Sequence, residues 1–172
     1  MGEGLVFAWR PQLSADQKGN VYAVWNEQAV GDDRVRLLFA RSTDSGVTWG
    51  APVRLDPSSP SKGRLANAQV QSDDRGHVWV LWQELNPSPR EWRLVMNRSD
   101  DFGRSWRDQA TVLTAPAQQD KVFRGVAFVR DAQGRLYVAW DGGPNNLREI
   151  YANRSGDFGA TWLPRDVQVG GR

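Results

Sequence analysis

Three aspartates stand in one repeated setting. The residues Ser42, Asp44, Gly46, Thr48 and Trp49 return as Ser99, Asp101, Gly103, Ser105 and Trp106, and again as Ser155, Asp157, Gly159, Thr161 and Trp162. The shared pattern is Ser-x-Asp-x-Gly-x-(Thr/Ser)-Trp, and its copies begin 57 residues apart (42 to 99) and then 56 (99 to 155). Carboxylates at a fixed spacing invite an acid–base or metal-ligand reading. Their neighbours argue for a turn instead. An Asp in a turn accepts hydrogen bonds from nearby backbone N–H groups, and Ser or Thr hydroxyls add local bonds. The glycines supply positive φ, and the three Trp rings can fold back and bury themselves between sheets. The boxes are therefore expected to be structural, with no metal and no cofactor.

Other polar residues are better placed for binding. Three polar segments of differing composition, 26–34, 83–91 and 141–147, carry Glu27, Asp32 and Asp33, then Glu84 and Glu91, then Asp141 and Asn145. Arg10, Arg64 and Arg124 lie near the starts of the innermost strands. Guanidinium groups suit bidentate capture of carboxylates. Nucleophilic catalysis has little support: Cys is absent, the single His77 opens a strand after a turn glycine, and Tyr22, Tyr137 and Tyr151 sit inside strands.

The elements that position these residues repeat with the boxes. An Asp-x-x-Gly turn precedes each of three apolar runs, Val21-Tyr22-Ala23-Val24-Trp25, Val78-Trp79-Val80-Leu81-Trp82 and Leu136-Tyr137-Val138-Ala139-Trp140. Asp and Gly in these places are hairpin chemistry, and β-branched and aromatic residues favour strands. The runs do not alternate apolar with polar, which predicts sheets covered on both faces. A third strand runs into each box and a short fourth follows it, near 53–55, 111–113 and 167–169. Four short antiparallel strands per repeat, with no helical period, predict an all-β chain of three β-propeller blades, about 5–57, 64–115 and 121–171. Six of the nine Trp belong to the repeat.

The boxes resemble the Asp-box, or bacterial neuraminidase repeat (BNR), family, whose motif caps the last hairpin of propeller blades. The resemblance covers nearly the whole chain and implies that the boxes lie away from the functional face. The family includes sialidases, other glycosidases, sorting receptors and assembly factors. Sialidases grip substrate with three arginines and use a Tyr nucleophile activated by Glu. Arg10, Arg64 and Arg124 invite that comparison, but Trp9-Arg10-Pro11 and Phe123-Arg124-Gly125 depart from the sialidase Phe/Tyr-Arg-Ile-Pro motif. The three arginines also stand at unequal distances from the turn Asp that follows each.

Composition excludes several classes. With 22 Lys and Arg against 20 Asp and Glu, and no basic run, a nucleic-acid partner is not expected. No stretch reaches the roughly 18 apolar residues of a membrane span. The start of the chain lacks a signal-peptide pattern, which implies a cytoplasmic protein unless a leader has been removed. Propellers close with about four to eight blades, so three blades predict a homodimer forming a six-bladed ring, or else a fragment of a longer chain. The favoured reading is a non-catalytic module binding a glycan or protein partner at the face opposite the boxes, through Arg10, Arg64, Arg124, Glu27, Glu84 and Asp141. A sialidase-type exo-glycosidase and a scaffold or assembly propeller are the alternatives.

Overall fold

The computed structural model describes residues 6–56, 65–87, 90–113, 125–142 and 149–170. The described residues form three four-stranded antiparallel sheets, each built from consecutive strands. The first sheet holds β1 (Val6–Ala15), β2 (Val21–Ala29), β3 (Arg36–Ser42) and β4 (Val53–Arg54). The second holds β5 (Leu65–Ser72), β6 (Val78–Pro87), β7 (Arg90–Ser99) and β8 (Thr111–Val112). The third holds β9 (Val126–Arg130), β10 (Leu136–Gly142), β11 (Glu149–Ser155) and β12 (Val167–Val169).

The turn between the first two strands of each sheet is held by its opening carboxylate. Asp16 Oδ1 accepts from the amides of Lys18 and Asn20, both at 2.9 Å. Asp73 does the same for Arg75 and His77, and Asp131 for Gln133 and Arg135. Two of the three tyrosines serve these turns: Tyr22 donates its hydroxyl to Asp16 at 2.9 Å, and Tyr137 donates to Asp131 at 3.2 Å. Burial pushes the Tyr22 hydroxyl up from its ordinary value, with the Asp16 carboxylate adding to the effect.

Neighbouring sheets pack face to face around two apolar clusters. Tyr22, Val24, Leu37 and Phe39 of the first sheet meet Val70, Val78, Val80 and Trp82 of the second. Trp79, Leu81, Leu94 and Met96, on the second sheet's other face, meet Phe128, Leu136, Val138 and Trp140. Among the described residues only the middle sheet is covered on both faces. Val78 to Glu84 are buried without a break, whereas β2 and β10 alternate buried with half-buried residues. The expectation that every second strand is sandwiched thus holds for β6 and fails for its two counterparts, each of which has one neighbouring sheet.

Two further expectations change. The described residues of the second polar segment, 83–87 and 90–91, are strand and not loop: β6 runs to Pro87 and β7 starts at Arg90, with these two residues paired. Polar residues in a hairpin arm satisfy the backbone ladder as well as apolar ones, so composition alone misplaced the strand ends. The Trp rings also differ. Trp106 and Trp162 pack against the two clusters, but Trp49 is 43% exposed because no described sheet lies against that face of the first.

Candidate functional site

Each box is a closed hydrogen-bond unit. Ser42 Oγ donates to Asp44 Oδ1 at 2.6 Å and accepts from the Gly46 amide at 2.9 Å. Asp44 also takes the Thr48 amide at 2.8 Å and hydroxyl at 2.5 Å. Asp101 repeats this set with Ser99 and Ser105, and Asp157 with Ser155 and Thr161. These bonds hold the carboxylates at about 2. At Asp44 the Ser42 hydroxyl leads, and at Asp157 the Thr161 hydroxyl. At Asp101 burial is the largest influence and pushes upward, but the bonds from Ser105, Ser99 and the Arg104 amide together outweigh it. A carboxylate so engaged is a poor proton donor near neutral pH. Among the described residues no group of three His, Cys, Asp or Glu could hold a metal ion.

The opposite end of the sheets, where β1 and β5 begin and β2 and β6 end, is built differently. Both innermost strands carry a register shift there, between Trp9 and Gln12 in β1 and between Ala66 and Gln69 in β5. Arg10 and Asn67 occupy the shifts with φ of 56° and 50°. Bulges re-aim side chains and recur beside functional sites. Each stands six residues before its turn Asp, so the repeat equivalent of Arg10 is Asn67 and not Arg64; in the third sheet the position is Gly125. Arg64 and Arg124, with Glu91 and Asn145, lie outside the residues whose side chains are described.

The second strands add a polar column next to these bulges. Asn26, Gln83 and Asp141 follow the strand Trp in the three repeats. Asn67 donates to Gln83 Oε1 at 2.9 Å, and the Gly125 amide donates to Asp141. Asn26 is 1% exposed, yet neither of its amide atoms has a hydrogen-bond partner. Nothing in the sequence distinguishes Asn26 from an ordinary strand polar residue; the signal is burial without partners.

Glu27, Glu84 and Asp141 are not brought together. Strand alternation explains this, since a one-residue offset turns a side chain to the other face. Glu27 and Glu84 are repeat equivalents: Glu27 lines the open side of the first sheet with Asp32 and Arg36, while Glu84 is buried against that sheet and paired with Arg93 at 2.8 Å. Asp141 sits one position earlier in its repeat, on the open side of the third sheet. A groove of about 640 Å³ between the first two sheets is lined by Glu84, Arg93, Arg54, Asp56, Trp82 and Trp106. Of its three carboxylates, Asp56 is paired with Arg54 at 2.9 Å and Glu84 with Arg93 at 2.8 Å, and the third belongs to Asp108. Tyr151 does meet a glutamate, donating its hydroxyl to Glu149. That pair lies on the third strand, two strands out from the bulges, and Tyr151 is buried against Trp140.

Comparison with known proteins bears on the fold and the family. A model of the BNR repeat-like domain matches residues 6–169. The α-L-arabinanase of Penicillium chrysogenum, solved with arabinobiose, is similar in structure at 16% identity and a TM-score of 0.67, over 94% of this chain and 49% of that one. A GH93 α-L-arabinofuranosidase of Fusarium graminearum, also with arabinobiose, gives 14% identity and 0.64 over 94% and 50%. A protein of unknown function from Dyadobacter fermentans gives 15% and 0.70 over 94% and 50%. The chain thus spans about half the length of these structures. No curated protein matches it significantly.

Proposed function

This chain belongs to the BNR repeat-like domain family, and on that premise we propose that it is a glycosidase-type propeller module that engages a glycan at the end opposite its boxes. The observation that carries the proposal is Asn26, buried with an unpartnered amide beside the Arg10 bulge. A buried polar group without a partner costs stability and asks for a reason. A ligand hydroxyl, or a water it holds, would supply the missing bonds. The same end of the sheets carries Arg10 and Asn67 on the two bulges, Gln83 bonded to Asn67, and Asp141 on the third sheet, which offer guanidinium, amide and carboxylate groups, the donor and acceptor mixture that sugar hydroxyls require.

Arabinose-containing oligosaccharides are the first substrates to try, because structures similar to this chain include enzymes that were solved with arabinobiose. Sialosides come second. Tyr22 and Tyr137 serve turns at the box end and Tyr151 lies off the inner strands, so a sialidase-type Tyr nucleophile has no candidate among the described residues. The family resemblance favours an enzyme, while the neutralised state of Glu84 and Asp56 favours binding without turnover.

An array of arabino-oligosaccharides and sialosides, followed by release of reducing sugar from whatever binds, separates the cases. Binding with sugar release makes the module catalytic, and binding alone makes it a lectin-like module. No binding to any glycan overturns the proposal and leaves a scaffold role.

A further inference from the structure

The two joints within the chain follow one pattern, and each end of the chain carries half of it. At the first joint the box of the second sheet seats on β3. A Cβ on Gly103 would lie 2.6 Å from the Phe39 ring, the Trp106 ring meets Phe39 edge-on at 4.8 Å, and Arg41 Nη1 donates to the Phe102 carbonyl at 3.2 Å. At the second joint a Cβ on Gly159 would lie 2.6 Å from Met96 Cε, and Arg98 Nη1 donates to the Phe158 carbonyl at 2.7 Å.

The third sheet presents Ala152 and Arg154 at the positions of Phe39/Met96 and Arg41/Arg98, and no box lies on them. The first sheet presents a box with no surface beneath it: nothing stands within 4 Å of a Cβ on Gly46. Exposure divides the same way. Leu13 is 66% exposed where its counterparts Val70 and Phe128 are 3% exposed, and Ile150 is 45% exposed where Leu37 and Leu94 are fully buried.

We propose that a second copy of this chain covers both open faces. The first box of each copy seats on the third sheet of the other, Gly46 over Ala152, with Arg154 donating to the Ser45 carbonyl. Two lines of argument select a second copy. The open faces are the complementary halves of a joint the chain already makes twice, so a two-fold axis satisfies both with identical contacts. Three sheets and three more also fall within the range of about four to eight at which propellers close, and the similar structures are about twice this chain's length. Ala152 is smaller than Phe39 or Met96 and leaves an apolar cavity of about 270 Å³ beside Tyr137, Ala139 and Leu163. Trp49 is the ring placed to enter it.

Light scattering on the 172-residue, 19.3 kDa chain at micromolar concentration should give twice that mass. Ala152→Arg blocks the third-sheet face and Trp49→Ser removes the ring from the first. Trp49 is exposed and Ala152 half-buried in the single chain, with no other described sheet against either, so each variant should keep its β-sheet circular dichroism while its mass falls to that of one chain. Arg154→Ala should weaken the dimer about tenfold or more. A wild-type chain that runs as a monomer overturns the proposal, as does an open polymer. A dimer indifferent to all three substitutions overturns it too, since the copies would then meet elsewhere.

Discussion

Arg98 Nη1 donates to the carbonyl oxygen of Phe158 at 2.7 Å across the joint between the second and third sheets, 60 residues apart in sequence. The same carbonyl accepts from Trp79 Nε1 at 2.8 Å. A positive φ of 59° at Phe158 turns this carbonyl to its place, so the box serves as the docking piece of one sheet on the next. Arg98→Ala should lower unfolding free energy by about 1.5–3 kcal/mol, the range for hydrogen bonds to charged groups. An unchanged urea midpoint with an unchanged m-value would show that the joint does not depend on it.

Acid should act through the boxes. Their carboxylates fall from an ordinary value of 3.8 to about 2 on folding. A carboxylate lowered in this way stabilises the fold above its unfolded value and loses that contribution as pH falls through its folded value. Urea midpoints should therefore decline from about pH 4 to about pH 2. Asp101→Asn should make the decline shallower, and an equally steep decline in that variant would assign the acid sensitivity to other groups.

The box glycines are not equivalent. Gly103 has φ of 78° and Phe39 in the place of any Cβ, whereas Gly46 has φ of 88° and open space. Gly46→Ala should cost about 1–2 kcal/mol from the left-handed backbone alone. Gly103→Ala adds an overpacking cost of about 1–3 kcal/mol. Thermal melts should rank the two variants in that order, and equal melting temperatures would mean that Phe39 gives way freely.

Asn26 offers a trade-off between stability and binding. Replacing a buried, unpartnered amide by an apolar group of similar size removes a desolvation cost of about 1–3 kcal/mol. Asn26→Leu should melt at or above the wild-type temperature and bind glycan more weakly. A destabilised variant with undiminished binding would make Asn26 a structural residue.

Much of this architecture is legible in the chain. The Asp-x-x-Gly turns, the apolar runs that end in Trp, and the short last strands near 53, 111 and 167 fall where residue chemistry puts them. What composition hides depends on neighbours in space. Trp49 matches Trp106 in sequence and differs from it in exposure because the surface that Trp106 packs on belongs to the preceding sheet. Glu27 and Glu84 resemble Asp141 as strand-end acids, but the one-residue offset of Asp141 turns it to the other face. Arg10 pairs with Asn67 through a bulge that no residue type announces, so arginines matched by type are not matched by place.

The central claim is that the boxes build the fold while the bulged end beside Arg10 and Asn26 meets the ligand. Glycan-array binding of the wild type, Arg10→Ala and Asp101→Ala, with melting measured on the same preparations, tests it most directly. The account predicts that Asp101→Ala melts lower yet, while folded, binds the same glycans as the wild type. It also predicts that Arg10→Ala melts normally and binds them about tenfold more weakly, a loss of about 1.4 kcal/mol. Selective loss of binding in Asp101→Ala at unchanged melting, with Arg10→Ala unaffected, would contradict it.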